Sequence, residues 1–180
     1  MATLDTSFIL KRAAAKKLEH VKTLNCWGSN LENVQALQQL ENVEVLNLSS
    51  NKISTLEDVA YCKSLRELFI RKNKISSFTE LEHLKQLPNL TVLWLSENPL
   101  VTSTNYRLHV IRTLPHLKKL DNKVITEEER DRARTEVVSS EEKTTSGTNI
   151  VTAILCLLKE LNKENLLTVR HAIDQQIQEE

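Results

Sequence analysis

From Val21 onward, apolar and polar residues follow one figure that returns along the chain. Val43, Leu46, Leu48, Asn51 and Ile53 hold fixed places in one copy, and Leu65, Leu68, Ile70, Asn73 and Ile75 hold them in the next. Leu90, Leu93, Leu95, Asn98 and Leu100 repeat the figure, and Val21, Leu24, Cys26, Ser29 and Leu31 carry an earlier copy with Ser in place of Asn. The copies open at residues 21, 43, 65 and 90, spacings of 22, 22 and 25. The alternation Leu46/Leu48 predicts a short strand whose every second residue points inward. The Asn stands where the chain must turn, and its side-chain amide can satisfy backbone groups that turning would leave buried. The back half of each copy brings its own apolar anchors: Val34, Leu37 and Leu40, then Leu56 and Val59, then Phe78, Leu81, Leu84 and Leu87. One such unit cannot bury its apolar face, so the units must stack.

This figure is that of the leucine-rich repeat, which predicts an α/β fold: a short solenoid of coils with covered ends. At the front, Asp5 suits an N-cap, and Leu4 and Ile9 suit a hydrophobic staple across it. Phe8, Ile9, Arg12, Ala13 and Leu18 continue at helical spacing without Pro or Gly, which predicts a capping helix over Asp5–Glu19. At the rear, Tyr106, Val110, Ile111 and Leu114 form one helical face ended by Pro115. Leu117 and Leu120 open a fifth, incomplete copy that runs into Asp121. Thr126 to Glu129 reads as a capping box for a last helix. The repeat domain with its caps is thus expected over residues 1–136.

Residues 137–148 are polar and short-chained, which predicts a flexible linker. Apolar residues then return densely. Ile150, Ile154, Leu155, Leu157, Leu158 and Leu161 cover a wide face of one helix, and Leu166, Val169 and Ile173 a narrower face of a second. A helical hairpin over residues 149–180 is expected. So small a unit seldom buries enough surface to stand by itself. These residues are therefore expected to drive homo-oligomerisation, with docking onto the solenoid as the competing arrangement.

The outward strand positions line the concave side of the stack. They bring Trp27, Phe69 and Trp94 onto one surface with Arg66 and Arg71, although aromatic residues make up only 4% of the chain. Aromatics interleaved with Arg are typical of interaction hot spots, so these five residues are the expected partner-binding face. The 24 basic and 24 acidic residues cancel, and Glu44, Glu67 and Glu97 lie nearby. Nucleic acid is accordingly not the expected partner, although an RNA-associated solenoid is the alternative class.

No run approaches the ~20 apolar residues of a membrane span, and the N-terminus has no charged-then-apolar leader pattern. Neither membrane insertion nor secretion is expected. Cys26, Cys62 and Cys156 are odd in number and far apart, which favours a reducing compartment. Gly28 and Gly147 are isolated, so there is no phosphate-cradling loop. The histidines His20, His83, His109, His116 and His171 show no ligand spacing, and no nucleophile and base fall together where a cleft is expected. No cofactor, metal or enzymatic activity is expected.

Several runs carry a closer resemblance. Val21-Lys22-Thr23-Leu24-Asn25-Cys26-Trp27-Gly28-Ser29, Leu93-Trp94-Leu95-Ser96-Glu97-Asn98-Pro99 and Leu114-Pro115-His116-Leu117-Lys118-Lys119-Leu120-Asp121-Asn122 resemble the ciliary leucine-rich repeat family whose known partner is a NIMA-related kinase. Asn149-Ile150-Val151-Thr152-Ala153-Ile154-Leu155 is similar to that family's C-terminal helical segment. The linker here is shorter than the family's. The resemblance implies a basal-body protein needed to build cilia, association with a NIMA-related kinase, a link to DNA damage repair, and a C-terminal segment that self-associates.

Overall fold

Three-residue strands recur at the same place in every copy, because only the alternating Leu positions demand extended backbone. The computed structural model describes residues 2–135. They belong to one compact unit. The linker expected at 137–148 and the hairpin expected at 149–180, with its self-association residues, lie outside the described residues.

The chain opens with β1 (Ala2–Thr3) and α1 (Thr6–Arg12), followed by β2 (Thr23–Asn25) and β3 (Leu31–Asn33). Then come β4 (Val45–Asn47), β5 (Glu67–Phe69), α2 (Leu81–Leu84) and β6 (Val92–Trp94). It closes with α3 (Tyr106–Thr113), β7 (Lys119–Leu120), β8 (Lys123–Val124) and α4 (Glu127–Thr135). One sheet runs β2-β4-β5-β6-β7-β8, parallel up to β7 and antiparallel for the last pair. Its register is that of the repeat: Leu24, Leu46, Leu68 and Leu93 are successive partners, and so are Asn25, Asn47, Phe69 and Trp94. The first row points into the core and is fully buried.

Behind the sheet the chain returns through 3₁₀ turns, Gln35–Gln39, Glu57–Tyr61, Phe78–Glu80 and Pro99–Thr102. The reason is in the anchors. Val34, Leu37 and Leu40 lie three apart, as do Leu56, Val59 and Cys62, and a helix of three residues per turn puts such residues on one side. All six are fully or almost fully buried. The third coil is longer by one such step, and there the 3₁₀ turn runs on into α2, with Leu81, Leu84 and Leu87 all buried. Cys26 and Cys62 are free thiols in this core. Burial pushes Cys26 up to about 11 and Cys62 up to about 12.

The coils are sewn together by asparagine. Asn73 Oδ1 accepts from the Ile53 N–H (3.0 Å), and its Nδ2 donates to the carbonyls of Leu48 (3.0 Å) and Ile70 (3.1 Å). Asn51 does the same for Leu31, Cys26 and Leu48, and Asn98 for Ile75, Ile70 and Leu95. Each amide thus bonds its own coil and the coil before it. Immediately ahead of each ladder residue sits one in the left-handed region: Gly28, Ser50, Lys72 and Glu97, with φ between 55° and 63°.

The front cap departs from expectation. Asp5 caps α1 by accepting from the Phe8 N–H (2.8 Å), and Leu4 and Ile9 are both buried as a staple requires. The helix, however, ends at Arg12 and does not reach Glu19. Ala14 takes φ 49°, and the Ala15 N–H bonds back to the Leu10 carbonyl. This is a Schellman closure made with Ala where Gly is usual. The cause is tertiary: stopping there lets Arg12 Nε donate to the Asn25 carbonyl (2.9 Å) at the open edge of the sheet, which would otherwise be unpaired. A two-residue pairing of β1 with β3, with Leu4 N–H on the Asn33 carbonyl, ties the terminus down further.

The rear cap follows expectation. α3 buries Tyr106, Val110 and Ile111, and β7 pairs with β6 as an incomplete fifth coil. Thr126 and Glu129 form a reciprocal capping box (3.3 and 3.1 Å).

Replacing Asn73 with Ala strands the buried Ile53 N–H and takes one of two amide donors from each of the Leu48 and Ile70 carbonyls, which Asn51 and Asn98 still reach, so chemical denaturation should show a loss of about 2 kcal/mol. Ser29→Ala, at the first coil where the hydroxyl makes only 3.4 Å contacts, should cost under about 0.5 kcal/mol. Equal losses would mean that the amide ladder does not govern stability.

Candidate protein-binding face

The register that buries one row of each strand presents the alternate row on the sheet's outer side. Phe69 and Trp94 are direct partners there. Their rings lie 5.6 Å apart at 60°, a tilted pairing that holds both side chains half-buried against each other. Trp27 stands beyond the end of β2 and is 61% exposed. Between them Asn47 and Ser49 keep the floor low. A depression of about 380 Å³ is lined by Trp27, Asn47, Ser49, Phe69, Arg71 and Trp94, with Ser50, Lys72 and Glu97 at its border.

A second depression of about 570 Å³ adjoins it and shares Arg71, Trp94 and Glu97. Its far wall is Tyr106, Arg107, Leu120, Asp121, Asn122 and Lys123. The two form one trough along the carboxyl ends of the parallel strands, with the Arg71–Glu97 ion pair as a ridge across it. Arg71 Nε donates to Glu97 Oε1 at 2.7 Å, and its Nη2 reaches the same oxygen.

Four of the five expected binding residues therefore meet in one place. Arg66 does not. It lies at the amino end of β5, and its Nε faces Glu44 at 3.8 Å, which Lys22 also approaches at 3.2 Å. The sequence reading also missed the partners. Neither Glu97 nor Asp121 stands near its partner along the chain: Glu97 lies one residue beyond the position equivalent to Arg71 in the next coil, and Asp121 follows the last parallel strand, level with Trp94.

The far wall is rigid. Asp121 Oδ1 accepts from the Leu95 and Ser96 N–H groups (both 2.8 Å), and Oδ2 accepts from the Tyr106 hydroxyl (3.0 Å). Burial and the Asp121 carboxylate raise the Tyr106 phenol well above its ordinary value. Arg107 bonds Glu129 through Nε (2.6 Å) and Nη2 (2.8 Å) and also reaches the carbonyls of Leu120 and Val124. The hydrogen bond from Arg107 holds the Glu129 carboxyl down at about 2. Among the described residues there is no His, Cys, Asp and Glu group that could hold a metal ion, and no helix is long and apolar enough to cross a membrane.

Comparison with known proteins fits this geometry. A leucine-rich repeat family model matches residues 11–150. Cilia- and flagella-associated protein 410 from Homo sapiens is 36% identical over 135 residues, covering 74% of this chain and 53% of the relative. The Mus musculus protein of that name is 37% identical over 132 residues, covering 72% and 53%. The chain spans about half the length of these curated relatives. Among solved structures, a chain of the Drosophila melanogaster SNF/U2A' complex is similar with a TM-score of 0.56 at 20% identity, covering 85% of this chain and 99% of that one. A chain of the Chaetomium Mex67:Mtr2 subunits gives 0.52 at 20% identity, covering 73% and 97%. At such identities the two structures share the fold.

The depressed Glu129 sets a pH dependence. Its ordinary value is 4.5, so its contribution is complete above that value and is lost as pH falls from 4.5 towards 2. Thermal melts should show the parent losing stability steeply across that window. Arg107→Met should be less stable at pH 7 and lose less below 4.5. Parallel acid limbs for the two proteins would contradict the pairing.

Proposed function

The chain belongs to the leucine-rich repeat family, and from that premise we propose that it is a non-enzymatic adaptor of the ciliary base that holds a protein partner in its concave trough. The observation that carries this is the open aromatic surface. Trp27 stands largely in solvent, and Phe69 and Trp94 present their faces beside it, whereas a soluble chain ordinarily buries such groups unless they serve recognition. The relatives' printed name places them with cilia and flagella, and this supports a ciliary setting for the adaptor.

The partner we propose is a NIMA-related kinase, placed or stabilised rather than modified by this chain. Self-association through residues 149–180 would multiply the trough and raise avidity without new contacts. A contribution to DNA damage repair would follow from the kinase it holds. The basal body is the proposed location.

Co-precipitation tests the first part. Trp27→Ala combined with Trp94→Ala should lower capture of a NIMA-related kinase by at least about tenfold, given ~1 kcal/mol or more for each buried aromatic anchor. The melting curve reports whether the fold survives, and the exposed Trp27→Ala by itself should give a partial loss. Undiminished capture by a folded double variant moves the partner off this face. Sedimentation tests the second part. Leu157→Pro should interrupt the helix that the sequence leads one to expect there and reduce the proposed oligomer to a smaller species. A parent chain that sediments as a monomer removes self-association from the reading.

A further inference from the structure

The trough's chemistry is one-sided, and this deepens the adaptor reading on which it rests. Its walls carry four cations, Arg71, Lys72, Arg107 and Lys123, against two carboxylates, Glu97 and Asp121. Arg71 is neutralised by Glu97, and Arg107 by Glu129 behind the wall. Asp121 is occupied by two backbone N–H groups and a phenol. Lys72 and Lys123 form no ion pair among the described residues and are exposed. Lys123 acts at a distance on Glu129, whose first partner is Arg107.

The neutral polar groups lean the same way. Asn47 Oδ1 accepts from the Ser49 N–H (3.0 Å), so the Asn47 oxygen on the floor of the trough already has one partner while its amide hydrogens have none among the described residues. Asn25, its register partner, is engaged likewise by the Trp27 N–H (3.1 Å). The indole N–H groups of Trp27 and Trp94 bond to no group among the described residues. Glu67 forms no ion pair among the described residues, but it stands in the row at the amino ends of the strands and lines neither depression.

We infer that the trough takes an acidic peptide segment of the partner, seated by an aromatic or aliphatic side chain between Trp27 and the Phe69–Trp94 pair, with carboxylates meeting Lys72 and Lys123. Charge complementarity selects it. An acidic segment supplies acceptors to the two lysines that form no ion pair among the described residues, on walls whose four cations exceed the carboxylates Glu97, Asp121 and Glu129 by one. A basic segment would meet Lys72 and Lys123 with like charge, and Asp121, the wall carboxylate that faces no cation in an ion pair among the described residues, already holds two backbone N–H groups and a phenol.

The chain has two tryptophans, and both line the trough, so their emission reports occupancy directly. The full chain is titrated with a short synthetic peptide of glutamate, serine and phenylalanine, and with versions in which every glutamate becomes glutamine or lysine. The acidic peptide should shift the emission saturably, the glutamine version should bind at least about tenfold more weakly, and added salt should weaken the acidic peptide further. Lys72→Glu with Lys123→Glu should reduce acidic-peptide affinity by about tenfold and spare the glutamine peptide. The same reversals at Lys63 and Lys85, which line neither depression, should leave it unchanged.

Equal binding of the glutamine peptide, with Trp27→Ala weakening both, overturns the acidic preference and leaves the concave-face reading standing. Acidic-peptide affinity that Trp27→Ala does not alter, read by anisotropy of a labelled peptide, removes both. Preference for the lysine peptide, or no response to the acidic one, overturns the proposal. So does emission that moves with protein concentration alone, as a second copy filling the trough would cause.

Discussion

A coil whose strand is three residues long cannot satisfy its own turning backbone, and a buried asparagine amide resolves this by bonding two coils at once. The amide at each ladder position serves the coil before it: Asn51 reaches Leu31 and Cys26, Asn73 reaches Ile53 and Leu48, and Asn98 reaches Ile75 and Ile70. This direction explains the two ends. The first coil has no coil before it, so Ser29 needs no amide, and the helix-end Arg12 covers the free carbonyl there. After the last full coil the required groups are N–H donors, those of Leu95 and Ser96, and an acceptor-only Asp121 meets them. Asp121 does this from the outward row, level with Trp94, so Ser29 is the one departure from Asn at a ladder position among the described residues, and it stands where no earlier coil has to be served.

The same turn builds the trough. To bring the amide under the strand, the residue just before it enters the left-handed region, at a cost of about 1 kcal/mol for a side chain other than Gly. The ladder bonds over-determine the turn and hold it there. In coils 3 and 4 those residues are Lys72 and Glu97, and both border the trough. The strained backbone therefore displays charged side chains at the carboxyl ends of the strands, beside the aromatic row fixed by the sheet register.

What was legible in the sequence is what repeats. The Leu rows, the Asn positions, the rear helix face from Tyr106 to Leu114 and the Thr126–Glu129 box follow from spacing, and each is found where its spacing puts it. The concave grouping of Trp27, Phe69, Arg71 and Trp94 follows from the same register. What was not legible depends on contacts between coils. Ala13-Ala14-Ala15 contains no breaker and has high helix propensity, yet α1 stops there because Arg12 has a sheet edge to cover. Two residues, Ala2 and Thr3, are too few to signal a strand. The state of each cation was hidden too: residue type points to Arg66 and Arg71, but each faces a carboxylate 22 or 26 residues away along the chain (Glu44 and Glu97), and the trough cations without an ion pair among the described residues are Lys72 and Lys123.

Arg71 and Glu97 are each about half exposed, at 49% and 47% of their side chains. A pair so wetted contributes on the order of 0–1 kcal/mol, so exchanging either member for a partner's group costs little. The pair differs in this from Arg107–Glu129, whose side chains are 24% and 27% exposed and whose arginine also holds two backbone carbonyls. One end of the trough is therefore rigid, and the ridge at its middle can be remade. In the proposed adaptor the aromatic row would supply shape that is set before any partner arrives, the lysines Lys72 and Lys123 would supply orientation during approach, and the Arg71–Glu97 ridge would let one groove accept a partner side chain on either side of it.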